Sequence, residues 1–175
     1  MSAKIGIIYA SIDGQTKKIC EYIKSKLDKQ NNIVEIIPID NFEKTISEYN
    51  ILIIGSSIRY GKHHKSIYQF INSYNTELSY IKTSFFSVNL IARKENKNTP
   101  STNPYLIKFL KGISWEPTLV DVFGGKLDYS LYPFFNRIMI KIIMKMTDGP
   151  TKTKTAIEYT DWKKVDAFCL KVSKL

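Results

Sequence analysis

Cysteine, histidine and long hydrophobic runs are all scarce in this 175-residue chain. The two cysteines, Cys20 and Cys169, are too few and too far apart for a disulfide framework or a metal site. Both fall on apolar helix faces, which predicts buried free thiols in a reducing compartment. The two histidines, His63 and His64, are adjacent, and neighbouring helical positions point in different directions, so they make a poor metal pair. No metal is expected. No run approaches about 18 uninterrupted apolar residues, so no membrane-spanning helix is expected. The chain enters its first strand directly, without a signal segment, which predicts a cytosolic location. Repeats, linkers and low-complexity tracts are absent. Acidic residues are in deficit, 16 Asp and Glu against 26 Lys and Arg, for a net charge of +10. That balance favours an anionic partner: nucleic acid, an acidic ligand or a membrane surface. Part of it reflects a general abundance of lysine.

What is present begins with Ser11, Ile12, Asp13, Gly14, Gln15 and Thr16, between an apolar run (Ile5, Ile7, Ile8) and an amphipathic helix pattern. A strand that ends in such a loop and feeds a helix can hold phosphate. Backbone N–H groups converge there at the positive end of the helix dipole. The Ser11 and Thr16 hydroxyls add donors, and Gly14 lets the backbone approach closely. The dinucleotide glycine pattern and the Gly-Lys-Ser/Thr triphosphate loop are both missing. The segment resembles the flavodoxin phosphate loop, Ser/Thr-x-Thr/Asp-Gly-x-Thr, which holds the terminal phosphate of FMN. An ordinary helix N-cap would use the same residue types.

The pattern along the chain predicts strands at 4–10, 33–37, 51–54, 84–91 and 118–123. Helices are predicted at 15–29, around Ile67, Phe70, Ile71 and Tyr74, from Asn103-Pro104, and from a cap at Thr160 or Asp161. Alternating strands and helices imply a parallel sheet with right-handed crossovers. The expected fold is α/β: a flavodoxin-like, doubly wound five-stranded sheet of order 2-1-3-4-5, in one domain spanning 1–175. A helical insert at about 126–150 is expected near the end of strand five. Ligands of such sheets bind beyond the carboxyl ends of the strands.

Those ends supply the remaining candidates. Strand three ends at Gly55 and leads into Ser56, Ser57, Ile58, Arg59, Tyr60 and Gly61, small residues beside side chains that can pack on a flat ring. Strand four leads into Asn89, Leu90, Ala92 and Arg93; Asn89 can serve a ring edge and Arg93 an anionic substrate. Strand five leads into Gly124, Gly125 and Asp128. His64 is a candidate substrate contact or proton relay, though a surface or capping histidine is the commoner case.

The insert is the most unusual stretch. Read as a helix, Arg137, Lys141 and Lys145 form one basic stripe. Ile138, Met139, Ile142, Ile143 and Met146 fill a broad apolar arc, flanked by Ile140 and Met144. Residues 126–154 hold six basic side chains (Lys126, Arg137, Lys141, Lys145, Lys152, Lys154) against Asp128 and Asp148. This composition suits a membrane interface or a greasy anionic ligand, and a core-packed or subunit-interface helix as well.

Taken together, Asp13-Gly14-Gln15-Thr16, Ser57-Ile58-Arg59-Tyr60-Gly61, Ser87-Val88-Asn89-Leu90, Ala92-Arg93-Lys94, Met139-Ile140-Lys141, Ile143-Met144-Lys145-Met146 and Tyr159-Thr160-Asp161-Trp162 resemble the flavodoxin-type, quinone-dependent protoporphyrinogen oxidases of bacterial haem biosynthesis. The insert is poorer in arginine and tryptophan than that family's. The resemblance implies FMN as cofactor, protoporphyrinogen IX as substrate and menaquinone or ubiquinone as acceptor. It also implies a peripheral place on the cytoplasmic face of the inner membrane, and no nucleic acid partner. Arg59, His64 and Arg93 are then the candidates around the substrate, with Arg59, Arg93 or insert lysines facing its carboxylates. A homo-oligomer is compatible with it. The competing readings are a flavodoxin-like electron carrier, an FMN quinone reductase, and a non-catalytic porphyrin- or membrane-binding module.

Overall fold

The structure is a computed structural model that describes residues 3–152 and 155–175; Lys154, counted above in the insert's charge, lies outside them. In chain order the elements are β1 (Lys4–Ala10), α1 (Gln15–Asp28), β2 (Ile33–Pro38), β3 (Ile51–Arg59), β4 (Lys62–His63), α2 (Lys65–Ser73), α3 (Asn75–Leu78), β5 (Lys82–Asn89), α4 (Pro104–Lys111), β6 (Leu119–Gly124), β7 (Lys126–Leu127), α5 (Phe134–Met146), β8 (Ile157–Glu158) and α6 (Trp162–Val172). The main sheet runs β2-β1-β3-β5-β6, all parallel, which is the expected 2-1-3-4-5 order once the small β4 is set aside.

Period-two alternation sorts the strand residues between two cores. Ile5, Ile7, Ile51, Ile53 and Phe86 pack on one face with Ile19, Cys20, Ile23 and Leu27 of α1 and Val165, Phe168 and Cys169 of α6. Ile8, Leu52, Ile54 and Phe85 pack on the other with Ile67, Phe70 and Ile71 of α2 and Leu106 and Phe109 of α4. Both thiols are free and buried, and burial raises the pKa of each. Asn103 caps α4 by accepting from the Leu106 N–H at 3.2 Å, with Pro104 in the first turn. Asp161, rather than Thr160, caps α6.

Strand three does not stop near Gly55. It continues to Arg59, because Ser56 and Ser57 keep their ladder with β5 and β4 folds back on β3, pairing Arg59 with Lys62. The two-residue connection, Tyr60 (φ 51°) and Gly61 (φ 76°), has both central residues in the left-handed region, the signature of a type I′ hairpin turn. The strand expected at 84–91, by contrast, stops short: β5 gives way at Leu90 to a 3₁₀ turn, Leu90–Arg93.

The insert is helical as expected, but it divides its apolar residues. Met144 is fully buried with Leu127, Tyr129 and Tyr132, and Ile140 packs against them. Ile138, Met139, Ile142 and Met146 face outward with Phe134 and Phe135. The segment is closed at its base by the antiparallel β7–β8 pair. Among the described residues no helix is long and apolar enough to cross a membrane.

Candidate functional site

The phosphate-type loop sits where β1 meets α1. Gly14, in the left-handed conformation (φ 83°), occupies the N-cap position, and no side chain caps the helix. The Ser11 and Thr16 hydroxyl oxygens are buried and have no hydrogen-bond partner. The ordinary capping alternative is thus not realised: the hydroxyls that would serve it stand free at a helix N-terminus. Unsatisfied buried hydroxyls are costly, and a phosphate placed there relieves that cost. The residues present therefore fit the phosphate of FMN.

Above this floor opens a cleft of about 790 Å³, counting its open mouth. Ser11, Asp13, Gln15 and Thr16 line it from the first loop, and Ser57, Ile58, Arg59, Tyr60 and Gly61 from the β3–β4 hairpin. Asn89 and Leu90 enter at the end of β5 and Gly125 after β6. Four loops from four different strands thus converge, as the fold order requires.

Hydrogen bonds hold these loops in register. Gln15 donates to the Thr160 hydroxyl at 2.8 Å, which donates to the Gly124 carbonyl at 2.7 Å. Arg59 bridges to both carboxylate oxygens of Asp13, at 3.1 and 3.3 Å, and lies over the Tyr132 ring. The first loop and the hairpin are therefore joined by a half-buried ion pair. Burial, with the charge of Asp13 nearby, pushes the Tyr132 phenol up to about 12, so it stays protonated.

Several expected residues have other duties. The Asn89 amide is engaged with the Ala92 N–H, Ser87 and Asn103. It lines the cleft without a free polar edge. Arg93 does not face the cleft: it donates to the Leu90 carbonyl at 2.8 Å and to the carbonyl and hydroxyl of Thr147 at 2.5 and 3.0 Å. With the Lys94–Asp148 ion pair at 3.0 Å it latches the end of α5 to the loop after β5. Asp128 accepts from the Ser130 N–H and hydroxyl and pairs with Lys126, and these contacts, the Ser130 hydroxyl foremost, lower its pKa. Ser56 is buried and donates to the Ser57 carbonyl. Ala92 is packed in the α2–α4 core, and Ile12 and Gly14 support the first loop without lining the cleft. His64 precedes α2, exposed, 2.6 Å from the Ser66 hydroxyl.

Seven further residues line the cleft: Val88, Ile91, Tyr105, Lys126, Tyr132, Ile140 and Ile143. Tyr132, Ile140 and Ile143 make the insert its roof. A second tie, from the Tyr60 hydroxyl to Asn136, fastens the other end of α5 to the hairpin. The roof is pinned at both ends.

With this geometry in place, the relatives are informative. The flavodoxin domain family matches residues 6–154. A protein of Escherichia coli (strain K12) named protoporphyrinogen IX dehydrogenase [quinone] is 38% identical over 170 residues, covering 97% of this chain and 94% of its own length. A Leishmania major protein of the same name is 40% identical over 169 residues, covering 95% of this chain and 73% of its own. The solution structure of two-electron reduced Megasphaera elsdenii flavodoxin aligns with a TM-score of 0.49 at 11% identity, over 67% of this chain and 84% of that one. The chain belongs to the flavodoxin domain family and, within it, groups with the quinone-dependent protoporphyrinogen IX dehydrogenases.

Proposed function

We propose that this chain oxidises protoporphyrinogen IX to protoporphyrin IX, with FMN held in the cleft and a membrane quinone as acceptor. The carrying observation is the 38–40% identity to relatives of that name over 95–97% of the chain. The two partnerless hydroxyls at the cleft floor support the cofactor. When bound, FMN supplies two-electron redox chemistry, so one porphyrinogen loses six hydrogens and three quinones become quinols.

The chain's own residues bind, orient and exclude water. Ser11, Thr16 and the first amides of α1 hold the phosphate. The Asp13–Arg59 pair fixes the spacing of the first loop and the hairpin that flank the ring. Tyr132, Ile140 and Ile143 exclude water from above.

The outward face of α5 suits the bilayer surface. Phe134, Phe135 and Met146 are 70%, 80% and 79% exposed, and Ile138, Met139 and Ile142 join them. Arg137, Lys141 and Lys145 lie on the same helix, which has no acidic residue. An apolar face bordered by cations docks on anionic lipid and brings the cleft close to a lipid-soluble quinone.

The test is anaerobic. Protoporphyrinogen should bleach the flavin of the holoprotein, and a short-chain quinone should restore its colour. Failure to bleach refutes the oxidase reading. Phe134→Ser with Phe135→Ser should lower binding to anionic vesicles while short-chain quinone turnover persists. A change in oligomeric state with vesicle binding intact would assign the face to a second copy instead.

A further inference from the structure

Beside the cofactor cleft lies a second, open groove of about 900 Å³ counting its mouth, lined by β4, the start of α2 and α4. It shares Gly61 and Tyr105 with the cleft, so the two adjoin along these residues. Its walls carry three lysines, Lys62, Lys65 and Lys108, and no acidic residue. Among the described residues none of the three ammonium groups has a salt-bridge partner within 4.0 Å. Three like charges around one depression repel one another, and an anion relieves that repulsion.

The floor is aromatic. His63 is 5% exposed and packs against Phe85 and Phe109, with ring centroids 5.3 and 4.6 Å away. Neither ring nitrogen of His63 has a hydrogen-bond partner; the Ser57 carbonyl acts on the ring but falls short of bonding geometry. Burial keeps the imidazole neutral, and both ring nitrogens lie beneath the surface of the groove. The groove thus combines an aromatic floor with a rim of cations that have no salt-bridge partner among the described residues.

Of the cations nominated for carboxylates, Lys126 is paired with Asp128, Lys145 and Lys152 line neither the cleft nor the groove, and three more have other duties. Arg59 is spent on Asp13, Arg93 on Leu90 and Thr147, and Lys141 lies over the Tyr129 ring. We infer that the Lys62–Lys65–Lys108 groove is the carboxylate subsite of this protein, receiving the two propionates of the tetrapyrrole whose macrocycle reaches the cofactor cleft past Gly61 and Tyr105. The inference rests on the substrate proposed above. Ammonium–carboxylate hydrogen bonds fix the orientation of the ring, and the lysine stems flank its apolar body.

The experiment uses the FMN-loaded protein, the double variant Lys62→Gln/Lys108→Gln, and two probes: protoporphyrin IX and its dimethyl ester, which keeps the ring and lacks the charges. Fluorescence titration should show the parent preferring the diacid. The variant should lose that preference, binding the diacid about tenfold more weakly and the ester as before, with its flavin spectrum unchanged. An unaltered diacid-to-ester ratio overturns the inference, as does a variant that loses affinity for anionic vesicles instead. If protoporphyrinogen does not bleach the parent's flavin, the proposed function falls. If it does, and the variant's diacid affinity is unchanged, only the carboxylate subsite falls.

Discussion

Thr16→Val should move the empty and the loaded protein in opposite directions. Thr16 is 1% exposed, and its hydroxyl has no partner at the floor of the cleft. An unsatisfied buried hydroxyl costs about 1–3 kcal/mol; valine fills the same space without a polar atom. The apoprotein should therefore gain about 1 kcal/mol or more, a rise of roughly 2–4 °C in Tm per kcal/mol for a chain of this size. The loaded protein should lose a charge-assisted hydrogen bond to phosphate, about 1.5–3 kcal/mol, which weakens FMN roughly 10- to 150-fold. Urea denaturation without FMN and titration of flavin fluorescence measure the two effects separately. Ser11→Ala should repeat both signs. A less stable apoprotein together with an unchanged Kd would refute the reasoning, because the hydroxyl would then serve the fold and not the ligand.

Two other predictions concern the latch and the buried histidine. Arg93→Met removes the hydrogen bonds to Leu90 and Thr147, worth about 1–3 kcal/mol at this half-buried site. Hydrogen exchange along α5 should accelerate about 5- to 150-fold while β1 and β3 keep their protection; an unchanged α5 would show that the helix is held by its packing alone. Burial pushes the His63 pKa down from 6.5 to about 3. The unfolded chain takes up that proton first, so this contribution to stability is whole above pH 6.5 and is lost as pH falls toward 3. Between pH 8 and pH 5 it amounts to about 2 kcal/mol. In His63→Phe, whose ring suits the Phe85–Phe109 cluster, that part of the acid slope should vanish from urea midpoints; an unaltered slope refutes the assignment.

Local signals carried much of the architecture. The strands announced themselves as Ile-rich runs because both faces of the sheet are covered. The first loop was legible because phosphate sites combine a strand end, small polar residues and a helix start within six positions. The α5 helix was visible as a period of four in Arg137, Lys141 and Lys145. The extension of β3 was not, since Tyr60 is an unusual residue for a positive-φ turn position and hid the hairpin. Pairings over distance were equally hidden: Asp13 with Arg59, 46 residues apart, and Arg93 with Thr147, 54 apart. Each arginine read as a free cation from its own neighbourhood, and only tertiary structure shows it neutralised or hydrogen-bonded. For the same reason His64 was the histidine nominated, although it is exposed and its neighbour His63 is the one set in an aromatic floor.

The short β7–β8 pair brings residues 127 and 157 together at the base of the insert. A segment whose two ends are clamped side by side can change length cheaply, since doubling a closed loop adds only about 0.6 kcal/mol of closure entropy. The roof over the cleft thus leaves and rejoins the sheet at a single junction, and beyond that junction only the Arg93–Thr147, Lys94–Asp148 and Tyr60–Asn136 ties and its packing hold it over the site.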